Sequence, residues 1–154
     1  MIETGQDAPA FAAKDQAGND VRLEALHGSW VVLYFYPKDD TPGCTKEACN
    51  FRDNDAAIRA AGATVIGVSG DSQASHEKFI AKYELPFTLL VDADRAIARA
   101  YGAWGMKKNY GKEYEGVIRS TFIIDPSGKV AKAWPRVKPD THGAEVLAWL
   151  AVRK

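Results

Sequence analysis

A chain of 154 residues, 46% hydrophobic and 26% charged, is long enough to bury one sizeable core without disulfide or metal staples, and residues 1–154 read as one domain. Its 20 basic and 20 acidic residues cancel, which argues against a nucleic-acid or anionic-membrane partner. The N-terminal "MIETGQDAPAF" has no basic patch followed by an apolar run, and "WVVLYFY" is far too short to span a bilayer, so a cytoplasmic protein without membrane contact is expected.

In chain order, "FAAKDQAGNDVRLEAL" (11–26) reads as a small β-hairpin around a "QAGN" turn. "WVVLYFYP" (30–37) is a continuous apolar run rich in β-branched and aromatic residues, as expected of a strand buried on both faces and ended by Pro37. The following 41–62 reads as a helix, with Thr41 suited to the N-cap, Pro42 to the first helical position and Gly62 to the C-terminal stop. A second buried strand (63–70), a helix (72–85), a third strand (86–92) and a short helix (95–102) come next. Asp92 and Asp94, where strand meets helix, are expected to serve as turn and capping residues.

The polar, glycine-punctuated stretch 103–116 reads as a loop, and "KKNYGKEY" within it as solvated chain rather than a docking site. Residues 119–134 form a hairpin about "DPSG", and 142–154 a closing helix. Trp104 and Trp134 are expected at the edge of the core. Strands alternating with helices, then a hairpin and a helix, indicate an α/β fold with a mixed sheet.

Both cysteines, Cys44 and Cys49, lie in "YPKDDTPGCTKEACN" (36–50). In a chain of so few cysteines the pair is expected to be reactive or metal-bound rather than a structural staple. Cys44 falls at about the third residue of the helix, where free N–H groups and the helix dipole stabilise a thiolate, the nucleophilic form of the side chain. Five residues along an intact helix, Cys49 has its Cα roughly 8.7 Å away. A disulfide needs less than about 7 Å. Either the two never bond, or bonding requires the helix to unwind.

A metal site would need further ligands, yet His27, His76 and His142 are scattered singly and fit no zinc spacing. Each is read as a surface or capping residue, and no metal or other cofactor is expected. The Cys-x-x-x-x-Cys spacing also differs from the Cys-x-x-Cys of disulfide exchangers.

The segment "YPKDDTPGCTKEACNFRD" resembles the active-site segment of the peroxiredoxins, thiol peroxidases on a thioredoxin-like fold, and in particular their bacterioferritin comigratory protein, or peroxiredoxin Q, subfamily. The family's Pro-x-x-x-Thr-x-x-Cys pattern stands here as Pro37, Thr41 and Cys44, its arginine as Arg119 in "IRSTFIIDPSG", and the subfamily's second cysteine as Cys49. "GQDAPAF", "VIGVSGDS" and "LPFTLLVD" extend the match over nearly the whole chain. An extra residue in "GQDAPAF" and Gly143 in the last helix are local departures, away from the chemistry.

The resemblance implies a thioredoxin-like fold, a mixed central sheet flanked by helices with an N-terminal β-hairpin. It implies that Cys44 attacks hydrogen peroxide or an organic hydroperoxide and becomes a sulfenic acid. Arg119 would hold thiolate and peroxide together, Thr41 would offer its hydroxyl, Pro37 would shield the thiolate, and Gly43 would leave N–H groups open beside it. Cys49 would resolve the sulfenic acid as an intramolecular disulfide, recycled by thioredoxin or a similar dithiol, in a monomer. Glu47 and Arg52 are left as supporting contacts or solvated helix positions. The rival reading is a peroxide sensor that relays its disulfide to a target.

Overall fold

The computed structural model describes residues 1–153. At its centre, β3 (Trp30–Phe35) carries the apolar run seen in the sequence. Its side chains alternate: Val31, Leu33 and Phe35 enter one core, and Val32, Tyr34 and Tyr36 the other. Both faces are therefore buried, which is why the run shows no polar alternation.

Around β3 the five-stranded sheet has the order β5-β4-β3-β8-β9. β4 (Ala63–Ser69) and β5 (Thr88–Val91) run parallel to it, whereas β8 (Ser120–Ile124) and β9 (Val130–Trp134) form the antiparallel half. On one face lie α1 (Pro42–Ala60), α2 (Gln73–Tyr83) and α4 (His142–Ala151), whose Phe51, Phe79 and Val146 meet Tyr34 and Tyr36. On the other, α3 (Ala96–Ala100) brings Ile97 and Ala98 against Phe35 and Phe122. Among the described residues no helix is long and apolar enough to cross a membrane.

The N-terminal hairpin of β1 (Ala12–Lys14) and β2 (Asp20–Arg22) forms as expected, although Leu23–Leu26 turn off into a 3-10 helix. Asp92 caps α3, accepting the Ile97 and Ala98 N–H groups at 3.0 Å each. Thr41 occupies the N-cap position of α1 in extended backbone, but its hydroxyl donates to the Lys38 carbonyl instead of capping the helix.

Two expectations are corrected. Residues 103–116 are not a loop: β6 (Trp104–Asn109) and β7 (Lys112–Val117) pair as an antiparallel hairpin. Tyr110 and Gly111 both take positive φ, 53° and 79°, the backbone of a two-residue turn whose twist matches the strands. The ribbon is held by polar pairs, such as Trp104 Nε1 donating to Glu115 at 3.0 Å, so it lacks the apolar alternation that marks a half-buried strand.

Nor are two of the histidines at the surface. His76 and His142 are fully buried, with polar partners on both ring nitrogens. His142 stands edge-on to Phe51 and Trp134, and burial lowers its tendency to take a proton. His27 remains exposed at the end of the 3-10 helix.

Candidate active site

The site begins where β3 ends. Pro37 interrupts the strand, a short turn follows, and Pro42 opens α1 with a residue whose missing N–H is not needed there. Cys44 is thus the third helical residue, 2% exposed, packed in the same cluster as Tyr36 and Ala48. The sulfur stands beside the N–H groups of the first helical turn, which have no acceptor within the helix.

Arg119 reaches the same point from a distant part of the sequence. β3 and β8 pair with Ser120 beside Phe35, so Arg119 emerges level with the end of β3. Its Nη2 donates to Cys44 Sγ at 3.2 Å, and its Nη1 to Glu47 Oε1 at 2.6 Å. Glu47 follows Cys44 by three residues, which puts both on one helix face. The planar fork of the guanidinium can therefore bridge them.

Electrostatically this is a compact arrangement. Glu47 is fully buried, and burial pushes its carboxyl up to about 7 against the opposing pull of Arg119. Burial also works against the Arg119 charge, but Glu47 and Cys44 outweigh it and hold the guanidinium above its usual range. A Cβ on Gly43 would lie 3.2 Å from Arg119 Nη2 and 3.8 Å from Pro139 Cγ. The missing side chain at 43 is what lets the guanidinium approach the sulfur.

Beside Arg119 opens a cavity of about 610 Å³, lined by Met106 and Lys107 of β6, Glu113 of β7, Ile118, Arg136 and Val137, among others. The hairpin that the sequence concealed thus forms a wall of the cavity beside Arg119. Burial, and then the Arg119 charge, lower the proton affinity of Lys107, which donates to the Val117 carbonyl at 2.9 Å.

Of the residues expected at the site, Cys44, Arg119 and Gly43 meet directly. Pro37 and Thr41 lie on the turn leading into α1, the Thr41 hydroxyl engaged with Lys38 at 2.8 Å. Cys49 is half-buried on the same continuous helix, and both thiols are free. Glu47, left open between contact and solvent by the sequence, is a buried partner of Arg119. Arg52 instead bonds Asp53 and the Tyr83 carbonyl. Asp39, buried on the same turn, was not singled out by the sequence, and His76, its buried partner, was read there as a surface or capping residue; the only local signal was the Asp39–Asp40 pair ahead of the Thr-Pro-Gly run.

A mixed sheet of this topology, carrying a thiol at a helix start under a guanidinium, describes a thiol-based redox enzyme of thioredoxin-like architecture. The sequence matches the model of the AhpC/TSA family over residues 4–133. It is 51% identical to peroxiredoxin Bcp of Bacillus subtilis over 149 residues, 97% of this chain and 95% of that protein. Against peroxiredoxin Bcp of Escherichia coli the identity is 41%, covering 97% and 96%. Among solved structures, the bacterioferritin comigratory protein of Xanthomonas campestris, described for its alkyl peroxide reduction activity, superposes with a TM-score of 0.91 at 39% identity, covering 98% of this chain and 99% of that one. The chain belongs to the AhpC/TSA family, within it to the peroxiredoxins of the Bcp and peroxiredoxin Q kind, and is a thiol-dependent peroxidase.

Proposed function

We propose that the Cys44 thiolate attacks the terminal oxygen of a hydroperoxide. The O–O bond breaks, the alkoxide or hydroxide takes up a proton and leaves as alcohol or water, and Cys44 becomes a sulfenic acid. The observation that carries this reading is the Arg119 guanidinium at 3.2 Å from Cys44 Sγ, anchored on its far side by Glu47. A cation fixed there stabilises the thiolate and lies where charge develops on the departing oxygen. Pro37 walls the sulfur from water, the open N–H groups beside Gly43 face the same space, and the Thr41 oxygen has lone pairs free to accept from a hydroperoxide.

Cys49 then attacks the sulfenic sulfur, displacing water and forming an intramolecular disulfide. A dithiol protein of the thioredoxin type reduces that bond and restores both thiols, and the enzyme works as a monomer. The test is peroxide-dependent oxidation of NADPH in the presence of thioredoxin and its reductase, with hydrogen peroxide and an alkyl hydroperoxide as substrates. Turnover is expected with both. Oxidation of the thiols without turnover would instead fit a sensor that hands its disulfide to a target.

A further inference from the structure

Besides Thr41, the turn between β3 and α1 is held by side chains that the peroxide chemistry does not use. Thr41 bonds the Lys38 carbonyl and closes 38–41 on itself. At the apex, between exposed Lys38 and Asp40, Asp39 points inward and is buried. One of its carboxylate oxygens accepts the Tyr36 hydroxyl at 2.6 Å; the other accepts the Ser75 hydroxyl at 2.8 Å and faces His76 Nδ1 at 2.7 Å. The Asp39 N–H donates to Asp71 at 2.8 Å. On its far side His76 Nε2 faces the Leu90 carbonyl at 2.8 Å, so each ring nitrogen has an oxygen partner.

The next residue is strained. Asp40 has φ 55°, a left-handed conformation unfavourable for a residue with a Cβ. Its carboxylate takes Lys82 Nζ and the Tyr83 hydroxyl, both at 2.8 Å. Asp39 and Asp40 thus dock the turn onto opposite ends of α2. Strain retained in a turn that leads to a reactive thiol calls for an anchoring interaction that holds it there.

We propose that Asp39 and His76, supported by Asp40 on Lys82 and Tyr83, form a clamp that sets the Pro37–Thr41 turn for attack of Cys44 on peroxide, with His76 as a positioning residue. The proposal rests on the peroxidase reading above. Pro37 and Thr41 each stand two residues from Asp39, so any shift of its carboxylate moves both. Tyr36, held by the same carboxylate, packs in the cluster that contains Cys44. The clamp also fixes the chain ahead of Thr41, so that unwinding of α1 does not spread back into β3.

The two nitrogens of His76 are separable by substitution. The amide nitrogen in His76→Asn falls near the place of Nδ1 and keeps a donor toward Asp39; in His76→Gln it reaches the place of Nε2 and keeps a donor toward Leu90. Each variant loses one buried hydrogen bond, so a merely structural histidine predicts equal effects. The readout is the stopped-flow rate of Cys44 oxidation in a Cys49→Ser background. His76→Gln is expected to slow that step by about tenfold, the loss of one charge-assisted hydrogen bond, while His76→Asn stays within about threefold of its parent. Asp39→Asn, which keeps the shape but not the charge, should slow it as His76→Gln does, and it decides the matter if His76→Gln fails to fold. Equal rates for His76→Gln and His76→Asn, or a parental rate for Asp39→Asn, would overturn the clamp. A Cys49→Ser parent that reacts no faster with peroxide than its Cys44→Ser derivative would overturn the peroxidase reading and the clamp with it.

Discussion

Arg119 and Glu47 meet at 2.6 Å inside the core, 72 residues apart in sequence, and the free arm of the same guanidinium rests on Cys44. The pair makes the position of the cation independent of whether peroxide is bound. Glu47 holds one nitrogen, and the other is left to the sulfur.

Stability should respond to Glu47 in a defined pH window. Its carboxyl sits at about 7 in the fold against an ordinary 4.5, so the folded state holds the proton more tightly than the unfolded chain. Folding stability from this group therefore falls as pH rises from about 4.5 to about 7, by on the order of 3 kcal/mol in the limit. Glu47→Gln removes that contribution. Urea unfolding at about pH 5 and about pH 8 should show the variant gaining on the wild type at the higher pH. A constant difference would mean that Glu47 keeps its charge throughout.

Cys44→Ser should abolish peroxide consumption, since a hydroxyl at this position has no accessible anion near neutral pH. Residual activity above a few per cent of the wild-type rate, measured by peroxide loss, would move the chemistry elsewhere.

Arg119→Ala should slow Cys44 oxidation far more than it lowers the Tm. With the guanidinium gone, Glu47 takes up a proton and stays neutral, so the core is not left with a bare charge. Arg119→Lys should fare little better, because one ammonium cannot span Glu47 and Cys44 as the planar fork does. Stopped-flow rates beside melting curves for both variants check this.

Gly43→Ala separates helix stability from chemistry. Alanine favours the helix by up to about 1 kcal/mol. Its Cβ, however, would press on Arg119 Nη2 at 3.2 Å. The expected variant melts no lower than wild type and reacts with peroxide more slowly; an unchanged rate would show that the guanidinium yields without cost.

Formation of a Cys44–Cys49 bond must take apart the start of α1. The Cα atoms have to close from roughly 8.7 Å to under about 7 Å. Helix starts fray readily, and each lost hydrogen bond costs only about 1 kcal/mol. Downstream the helix is pinned: Asn50 accepts the Ala144 N–H at 3.0 Å, and a Cβ on Gly143 would lie 2.7 Å from the Asn50 backbone. Hydrogen exchange on peroxide-treated protein should therefore show protection lost across 41–50 and kept in Phe51 and in the sheet. Equal protection in both forms, with the disulfide verified by mass spectrometry, would contradict the helix geometry.

What the sequence determined by itself was everything whose physical cause is local. The run 30–36 is too apolar for any place but a buried strand. Pro42 and Gly62 bracket a helix through the few residues each constrains, and that bracket puts Cys44 at the helix start. The Pro37, Thr41 and Cys44 spacing and the Arg119 segment carried the family likeness, because both lie in short contiguous motifs. Only the tertiary structure decided the rest. The β6–β7 ribbon is stabilised by cross-strand polar pairs, which leave no apolar period to read. The burial of His76 and His142 depends on hydrogen-bond partners supplied by Asp39, Leu90, Thr121 and Glu145, and a histidine in sequence looks the same with or without them. Glu47 could have faced water or core until the β3–β8 register delivered Arg119 to its side. Long-range register places charges across dozens of residues, and no propensity within a few residues encodes it.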